Sequence, residues 1–391
     1  MSKKDQLVAV IEEKKETYIT ASHAIAEKPE LQNEEYFASK LLTELLAKEG
    51  FQITKGAAGH ETGFVAQKGE GNPKIVFLAE YDALPEIGHG CGHNLIGAQS
   101  ALAAVATAKV IDTGSVYVYG TPAEEGGDNG SAKASFADQG YFDHIDAAMM
   151  IHPGTRNTIT TSSLAVHCYD FEFFGQTAHA SGCPEEGKNA LDAMILFFNG
   201  ISALRQQTTL DTRIHGIITH GGTAPNVIPA YTKAKFFIRA NTISHCDYVL
   251  EQVKQIAQGA ALMTGCTVAY KKFNNTVKDM VLTPPLDDLF AEKGKELGIQ
   301  FESGVKKGKG STDVGNVSHV VPTIQPSIAV TTQAIPGHTV AFRDACIAKG
   351  GDQALVAGAK ILGLTALELF ENPDKLAKIK KAHRQNVKEE A

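Results

Sequence analysis

The stretch Gly88-His89-Gly90-Cys91-Gly92-His93-Asn94 sets a thiol and an imidazole two residues apart on a glycine-punctuated backbone. Glycine permits positive φ and close approach of the backbone to a ligand. Thiolate and imidazole are both ligands for a borderline-soft divalent cation. Further ligand-type residues fall in Glu80-Tyr81-Asp82, Thr121-Pro122-Ala123-Glu124-Glu125-Gly126-Gly127, His152-Pro153 and Ile335-Pro336-Gly337-His338-Thr339. Cys91, His93, Glu125, His152 and His338 exceed the three protein ligands that a catalytic zinc usually takes. Two cations about 3.5–4 Å apart can share a bridging ligand, and a thiolate can bridge. Glu124, beside Glu125, can then face the activated water, take its proton as general base and return it to a leaving amine. Those residues support metal-assisted hydrolysis of an amide.

These groups need elements that bring them together. Residues 74–79 are a short apolar block rich in β-branched side chains and read as a buried strand. Residues 95–110, apolar and rich in small side chains, read as a helix. Strand, glycine-rich loop and helix is where open α/β sheets bind ligands. A helix start close behind Cys91 is expected to favour its thiolate. Residues 116–120 and 147–151 read as the next strands. Successive strands thus end in Asp82 (with Cys91 and His93 in the loop beyond), in Glu124-Glu125 and in His152. Parallel strands joined by helices bring such ends to one rim. A lone histidine is more often structural, and adjacent carboxylates are often a solvated turn. Their recurrence at successive strand ends argues against coincidence.

Around this lies the rest of the fold. Residues 5–27 and 34–49 carry apolar positions at helical spacing, and Gly50 stops the second helix. Residues 64–66 read as a strand. The middle of the chain reads as strand 163–175, helix 189–204, strands 212–220 and 231–240, helix 245–263 and strand 266–272. That β-α-β-β-α-β order is ferredoxin-like. From residue 281 the chain returns, with Thr283-Pro284-Pro285 as punctuation. A helix over 286–297, a polar loop over 310–316, a strand over 327–331 and a helix over 351–370 follow. The tail, 371–391, mixes charges and reads as a surface helix or fraying end. The expected fold is α/β: a mixed, largely parallel sheet flanked by helices, formed by 1–166 and 281–391, with an α+β insertion at 167–280.

The net charge of -7 disfavours phosphate-backbone binding, and there is no basic stripe with interleaved aromatics. No nucleic-acid partner is expected. No apolar h-region follows residues 1–6, and no run reads as membrane-spanning, so no membrane partner and a cytoplasmic location are expected. The six cysteines (Cys91, Cys168, Cys183, Cys246, Cys266, Cys346) have no repeat spacing, which disfavours a disulfide framework.

The motifs resemble the amidohydrolase branch of the di-zinc aminoacylase/carboxypeptidase-type metallopeptidases. That branch includes aminoacylases, hippurate hydrolases, indole-acetyl-amino-acid hydrolases and p-aminobenzoyl-glutamate hydrolases. Cys-Gly-His at 91–93, Thr-Pro-Ala-Glu-Glu-Gly-Gly at 121–127, His152-Pro153, Gly-Gln-Thr-Ala-His at 175–179, the 221–229 run ending Asn-Val-Ile-Pro and Pro-Gly-His-Thr at 336–339 match in order, across residues 15–370. Gly-His-Gly-Cys-Gly-His-Asn is most similar to the p-aminobenzoyl-glutamate hydrolase and dipeptidase-like members. The resemblance implies that Cys91 bridges two zinc ions (manganese being the alternative), that His93 and His152 complete one site, and that Glu125 and His338 complete the other. It implies Glu124 as the base. It makes the insertion a lid that forms a homodimer, with tetramers possible, and whose His179 reaches a partner subunit's site to stabilise the oxyanion. Asn226 and Arg239 would hold a substrate carboxylate or carbonyl. The chain departs from the wider family at Glu80-Tyr81-Asp82, where His-x-Asp is common, and at Asn94, where many branch members carry Asp. Asp82 is expected to orient a ligand from behind, with Glu80 unassigned and His89 lying behind the ligands.

The substrate expected is a small peptide, with an N-acyl amino acid as the alternative. A rival enzyme reading makes Cys91 a nucleophile and His93 its base, but two residues of separation suit that pair poorly and leave the other ligands unexplained. A non-catalytic metal- or peptide-binding subunit has no use for Glu124. A chelator separates the first two readings: amide hydrolysis is expected to vanish on chelation and return with divalent metal, whereas a thiol enzyme would keep its rate.

Overall fold

The computed structural model describes residues 1–303 and 310–390. Ala391, the last residue of the expected tail, lies outside them. Helix α1 (Lys3–Glu27) starts at a capping box between Ser2 and Asp5 and buries Leu7, Ile11, Tyr18 and Ile25. Helix α2 (Tyr36–Lys48) buries Leu42 and Leu46. Strands β1 (Gln52–Lys55), β2 (Phe64–Glu70) and β3 (Lys74–Ala79) lead to helix α3 (His93–Val110). Strand β4 (Gly114–Gly120), helix α4 (Ala132–Asp138) and strands β5 (Ala147–Met149) and β6 (His152–Gly154) follow. Next come β7 (Ala165–Phe174), α5 (Ala190–Leu204), β8 (Arg213–His220), β9 (Tyr231–Ala240), α6 (Ile243–Thr264) and β10 (Thr267–Lys272). The chain ends with α7 (Pro284–Glu296), α8 (Val314–Ser318), β11 (Thr323–Ile324), β12 (Ser327–Ala329), α9 (Val340–Cys346), α10 (Lys349–Glu371) and α11 (Pro373–Glu390).

Two compact units result: Met1–Ser162 with Met280–Ala391, and Ser163–Asp279. In the first, one sheet has the order β1-β2-β4-β3-β5-β11. Strands β4, β3, β5 and β11 are parallel, while β2 and β1 add antiparallel on one side. Ile75 to Ala79 of β3 are wholly buried, as a parallel strand covered on both faces requires. Helix α3 packs on β3 and β4 and is itself covered by α1 and α10. Its small residues permit that: a side chain at Gly97 would come within 2.8 Å of the Glu80 carbonyl oxygen.

Two expectations are corrected here. Helix α10 is, by length and composition, apolar enough to cross a membrane, with a mean hydropathy of 1.4. Its apolarity is taken up by the core, where Leu355, Ile361, Leu362 and Leu369 are wholly buried. The expected strand 147–151 is shorter and stops before His152. Strand β5 ends at Met149, and His152 belongs to β6, which pairs in parallel with β12 in a separate two-stranded sheet. The buried Gln99 amide of α3 donates to Ile151 O between them, where the main-sheet ladder has ended. The short elements β1, α4, α8, β11 and α9 carry too few periodic positions to stand out in the sequence.

The second unit is a four-stranded antiparallel sheet, β10-β7-β9-β8, with α5 and α6 packed on it. Its order is β-α-β-β-α-β. It has its own core, centred on Phe171, Phe173, Phe197, Phe236, Ile238 and Val253. Strand β8 is an edge, and it exposes Ile217 and Ile218.

Candidate active site

The carboxyl ends of β3 and β4, the start of β6 and the 336–339 loop supply the ligand-type side chains of the first unit. Strand β3 runs into Glu80, Tyr81 and Asp82, all buried. The loop after it turns back through Gly92, whose φ of 81° is left-handed and which caps α3. A Cβ there would lie 2.5 Å from Pro153 Cγ and 2.8 Å from Cys346 Sγ, so only glycine fits. His93 is therefore the first residue of α3, and Cys91 stands just ahead of it.

Hydrogen bonds set which nitrogen of each imidazole is free. His93 Nδ1 is 2.8 Å from Asp82 Oδ1, and the other Asp82 oxygen accepts from Glu125 N at 3.0 Å. One carboxylate thus orients two candidate ligands. His152 Nδ1 donates to Pro153 O at 2.7 Å, which leaves the Nε2 lone pair facing Cys91 Sγ at 3.4 Å. His338 Nε2 stands 3.3 Å from Glu125 Oε1. Cys91, His93 and His152 offer ligand atoms within 4.8 Å of one another, and so do Cys91, Glu125 and His338. Cys91 is common to both sets. His93 Nε2 and Glu125 Oε1 are buried and accept no hydrogen bond among the described residues. Buried lone pairs of this kind are costly unless something binds them, and a borderline-soft cation fits the nitrogen, sulfur and carboxylate donors.

The electrostatics correct one expectation. The helix start does not favour the Cys91 thiolate by itself: burial pushes the thiol well above its usual range, outweighing the attraction of His93. Ionisation at Cys91 needs an added positive charge. His89 is held neutral, with burial lowering its pKa to about 4, and it belongs to neither ligand set. Burial opposes charge on His93, but Asp82, Cys91 and Glu80 outweigh it and raise its pKa, so the metal-free ring keeps a proton that a cation at Nε2 would replace. Glu124 is raised well above the carboxylate range, first by burial and then by the charges of Glu80 and Asp313.

Two residues that sequence reasoning missed explain Glu80. Lys133 Nζ lies 2.7 Å from Glu80 Oε1 and 2.6 Å from Asp313 Oδ1, and Lys133 N donates to Asp313 Oδ2 at 3.0 Å. All three side chains are buried. Burial disfavours the ammonium, but the two carboxylates hold it charged. The available signal was a lysine in the otherwise small and apolar run Ala132-Lys133-Ala134. Glu80 also presents its other oxygen to His93 Nε2 at 3.3 Å.

His179, Asn226 and Arg239 belong to the second unit. His179 Nδ1 accepts from Ser181 N at 3.3 Å and Gly182 N at 3.1 Å, so its proton sits on Nε2. His179 bridges to Val227, and Ala180 N donates to Asn226 O, which brings the two loops together. His179 and Asn226 are exposed. Arg239 is the penultimate residue of β9, half-buried, with its guanidinium over the Phe237 ring at 5.5 Å.

Residues 163–262 match the family model described as a peptidase dimerisation domain. The chain is 34% identical to the Xaa-Arg dipeptidase of Mus musculus, over 97% of this chain and 92% of that protein. It is 35% identical to one of the p-aminobenzoyl-glutamate hydrolase subunits of Escherichia coli, over 66% of this chain and 58% of that protein. Its fold matches the crystal structure of a Bacillus subtilis protein described as a dinuclear metal-binding peptidase of the M20 family. The TM-score is 0.65 and the identity 19%, over 92% of this chain and 98% of that one.

Lys133→Met is expected to leave two buried carboxylates facing each other without a cation and to destabilise the first unit by about 3–5 kcal/mol. Urea denaturation of the variant against the parent chain measures it.

Proposed function

The chain belongs to the M20 peptidase family and hydrolyses amide bonds of small peptides or acylated amino acids; within that chemistry we propose that it is a metal-dependent dipeptidase or aminopeptidase. The observation that carries this reading is the pair of ligand sets sharing Cys91, with Glu124 beside them. Cys91, His93 and His152 would hold one divalent cation, and Cys91, Glu125 and His338 would hold a second. Zinc is the metal best suited to a shared thiolate, with manganese the alternative. Such cations, when bound, supply Lewis acidity that lowers the pKa of water and polarises a carbonyl.

The chain's own groups do the rest. Asp82 fixes the His93 ring and the Glu125 backbone, so the two sets keep their mutual position. Glu124 takes the proton from water and hands it to the departing amine. His179, with the proton on Nε2, donates to the oxyanion in a partner copy's site, a contribution of about 3 kcal/mol. Arg239 and Asn226 grip the substrate's carboxylate. A homodimer through the second unit, with a tetramer possible, agrees with the apolar edge of β8 and with the dimerisation-domain match. The charge balance and the unpaired cysteines suit a cytoplasmic setting.

The dipeptidase reading draws support from the relative that matches almost the whole chain, the acylase reading from the shorter match to the aminobenzoyl-glutamate hydrolase. A free dipeptide ending in arginine and its N-acetylated form separate the two. Cleavage of the free dipeptide alone is expected, and cleavage of the acetylated form alone would replace the reading with an acylase. Glu124→Gln is expected to bind metal as the parent does and to lose at least about 100-fold in kcat. Unchanged turnover would remove Glu124 from the mechanism.

A further inference from the structure

Glu124 and Glu125 follow a residue in a costly conformation. Ala123 has a φ of 55°, in the left-handed region that a side chain disfavours. Something must hold it there. Its carbonyl accepts from Ser131 N at 2.6 Å and from Gly126 N at 3.3 Å, both within its own loop. Its N–H points elsewhere and donates to Glu35 Oε1 at 3.0 Å.

Glu35 lies 88 residues earlier, just before α2, and is wholly buried. Its Oε1 also accepts from Asn33 N at 3.0 Å, and its Oε2 accepts from Thr62 Oγ1 at 2.9 Å. The segment that carries it touches the same loop again. Asn33 Nδ2 donates to Asp128 O at 2.9 Å. A Cβ at Gly127 would fall 2.8 Å from the Gln32 side chain, so the loop lies directly on that segment. On the other flank, Glu30 O accepts from Ala83 N, next to Asp82.

We infer that Glu35 is a positioning residue for the hydrolysis: its carboxylate holds the Ala123 N–H, keeps that residue left-handed, and so aims the Glu124 carboxylate. This rests on Glu124 being the base. Without the acceptor, a buried N–H loses its partner and the left-handed residue loses what offsets its strain. The loop then relaxes by rotation at Ala123, which swings the side chain of the next residue. Reach, and not charge, is what the role requires. Glutamine keeps the reach: its carbonyl oxygen can still accept from Ala123 N and Asn33 N, while its amide faces the Thr62 hydroxyl, which can turn to accept. Aspartate keeps the charge but is shorter by about 1.5 Å.

The test compares Glu35→Gln with Glu35→Asp in the full-length, metal-loaded enzyme. Glu35→Asp is expected to lose about 10- to 100-fold in kcat, with KM and bound metal unchanged, while Glu35→Gln keeps most of its kcat. In the metal-free protein, hydrogen exchange at the Ala123 amide should quicken in Glu35→Asp and stay slow in Glu35→Gln. Equal effects in the two variants, the reverse order, or unaltered exchange in Glu35→Asp overturn the inference. The Glu124→Gln result is independent of it: if that variant keeps its turnover, the base assignment fails while the Ala123 exchange still reads the clamp.

Discussion

The first unit is organised by a problem of buried charge. Glu80, Asp82 and Asp313 are all but inaccessible, and Glu124 and Glu125 stand beside them, mostly buried. Burying one unpaired carboxylate is prohibitive, and several in one place more so. Lys133 neutralises part of the set through two short ion pairs. His93 Nδ1 donates to Asp82, which meets one of that carboxylate's oxygens. What remains is an excess of negative and lone-pair donors around Cys91, which is the electrostatic description of a site for cations. Burial at this rim, and then the charges of Glu80 and Asp313, raise the Glu124 pKa.

Such a rim must also be held rigidly, because hydrogen bonds and metal ligands tolerate little misplacement. Strain at defined positions does this. Gly92 is left-handed against Pro153 and Cys346, where no side chain fits. Ala123 is left-handed beside the two glutamates, and His338 has a φ of 59° with its N–H given to Gly90 O. Each of these three residues adjoins or carries a ligand-type or carboxylate group, and each is tied by a hydrogen bond or a tight contact to a segment distant in sequence.

The second unit solves a different problem. Its core is aromatic, with Phe171, Phe197 and Phe236 in mutual contact. Its edge strand β8 exposes Ile217 and Ile218, a feature that natural sheets suppress unless a partner covers it. His179 and Asn226 sit on loops tied to each other, and Arg239 near the end of β9.

Much of this was legible before any coordinates. Periodicity and glycine placement marked β3, α3, β9 and the β-α-β-β-α-β order, since those runs are long or strongly patterned. The ligand-type residues were legible too, because cysteine, histidine and glutamate at strand ends are chemically conspicuous. The break between β5 and β6 was not, because apolar residues continue across it and only pairing with β12 reveals the change of sheet. Lys133, Asp313 and Glu35 were not, because each looks like an ordinary charged residue of a helix or loop. Local spacing by itself therefore determined the long, strongly patterned elements and which atoms could bind a cation. Only the tertiary structure decided which carboxylates are buried, what neutralises them and what holds the Ala123 backbone. Those depend largely on contacts between residues far apart in the chain, such as Glu35 with Ala123, 88 positions apart, and Lys133 with Asp313, 180 apart, which no local pattern encodes.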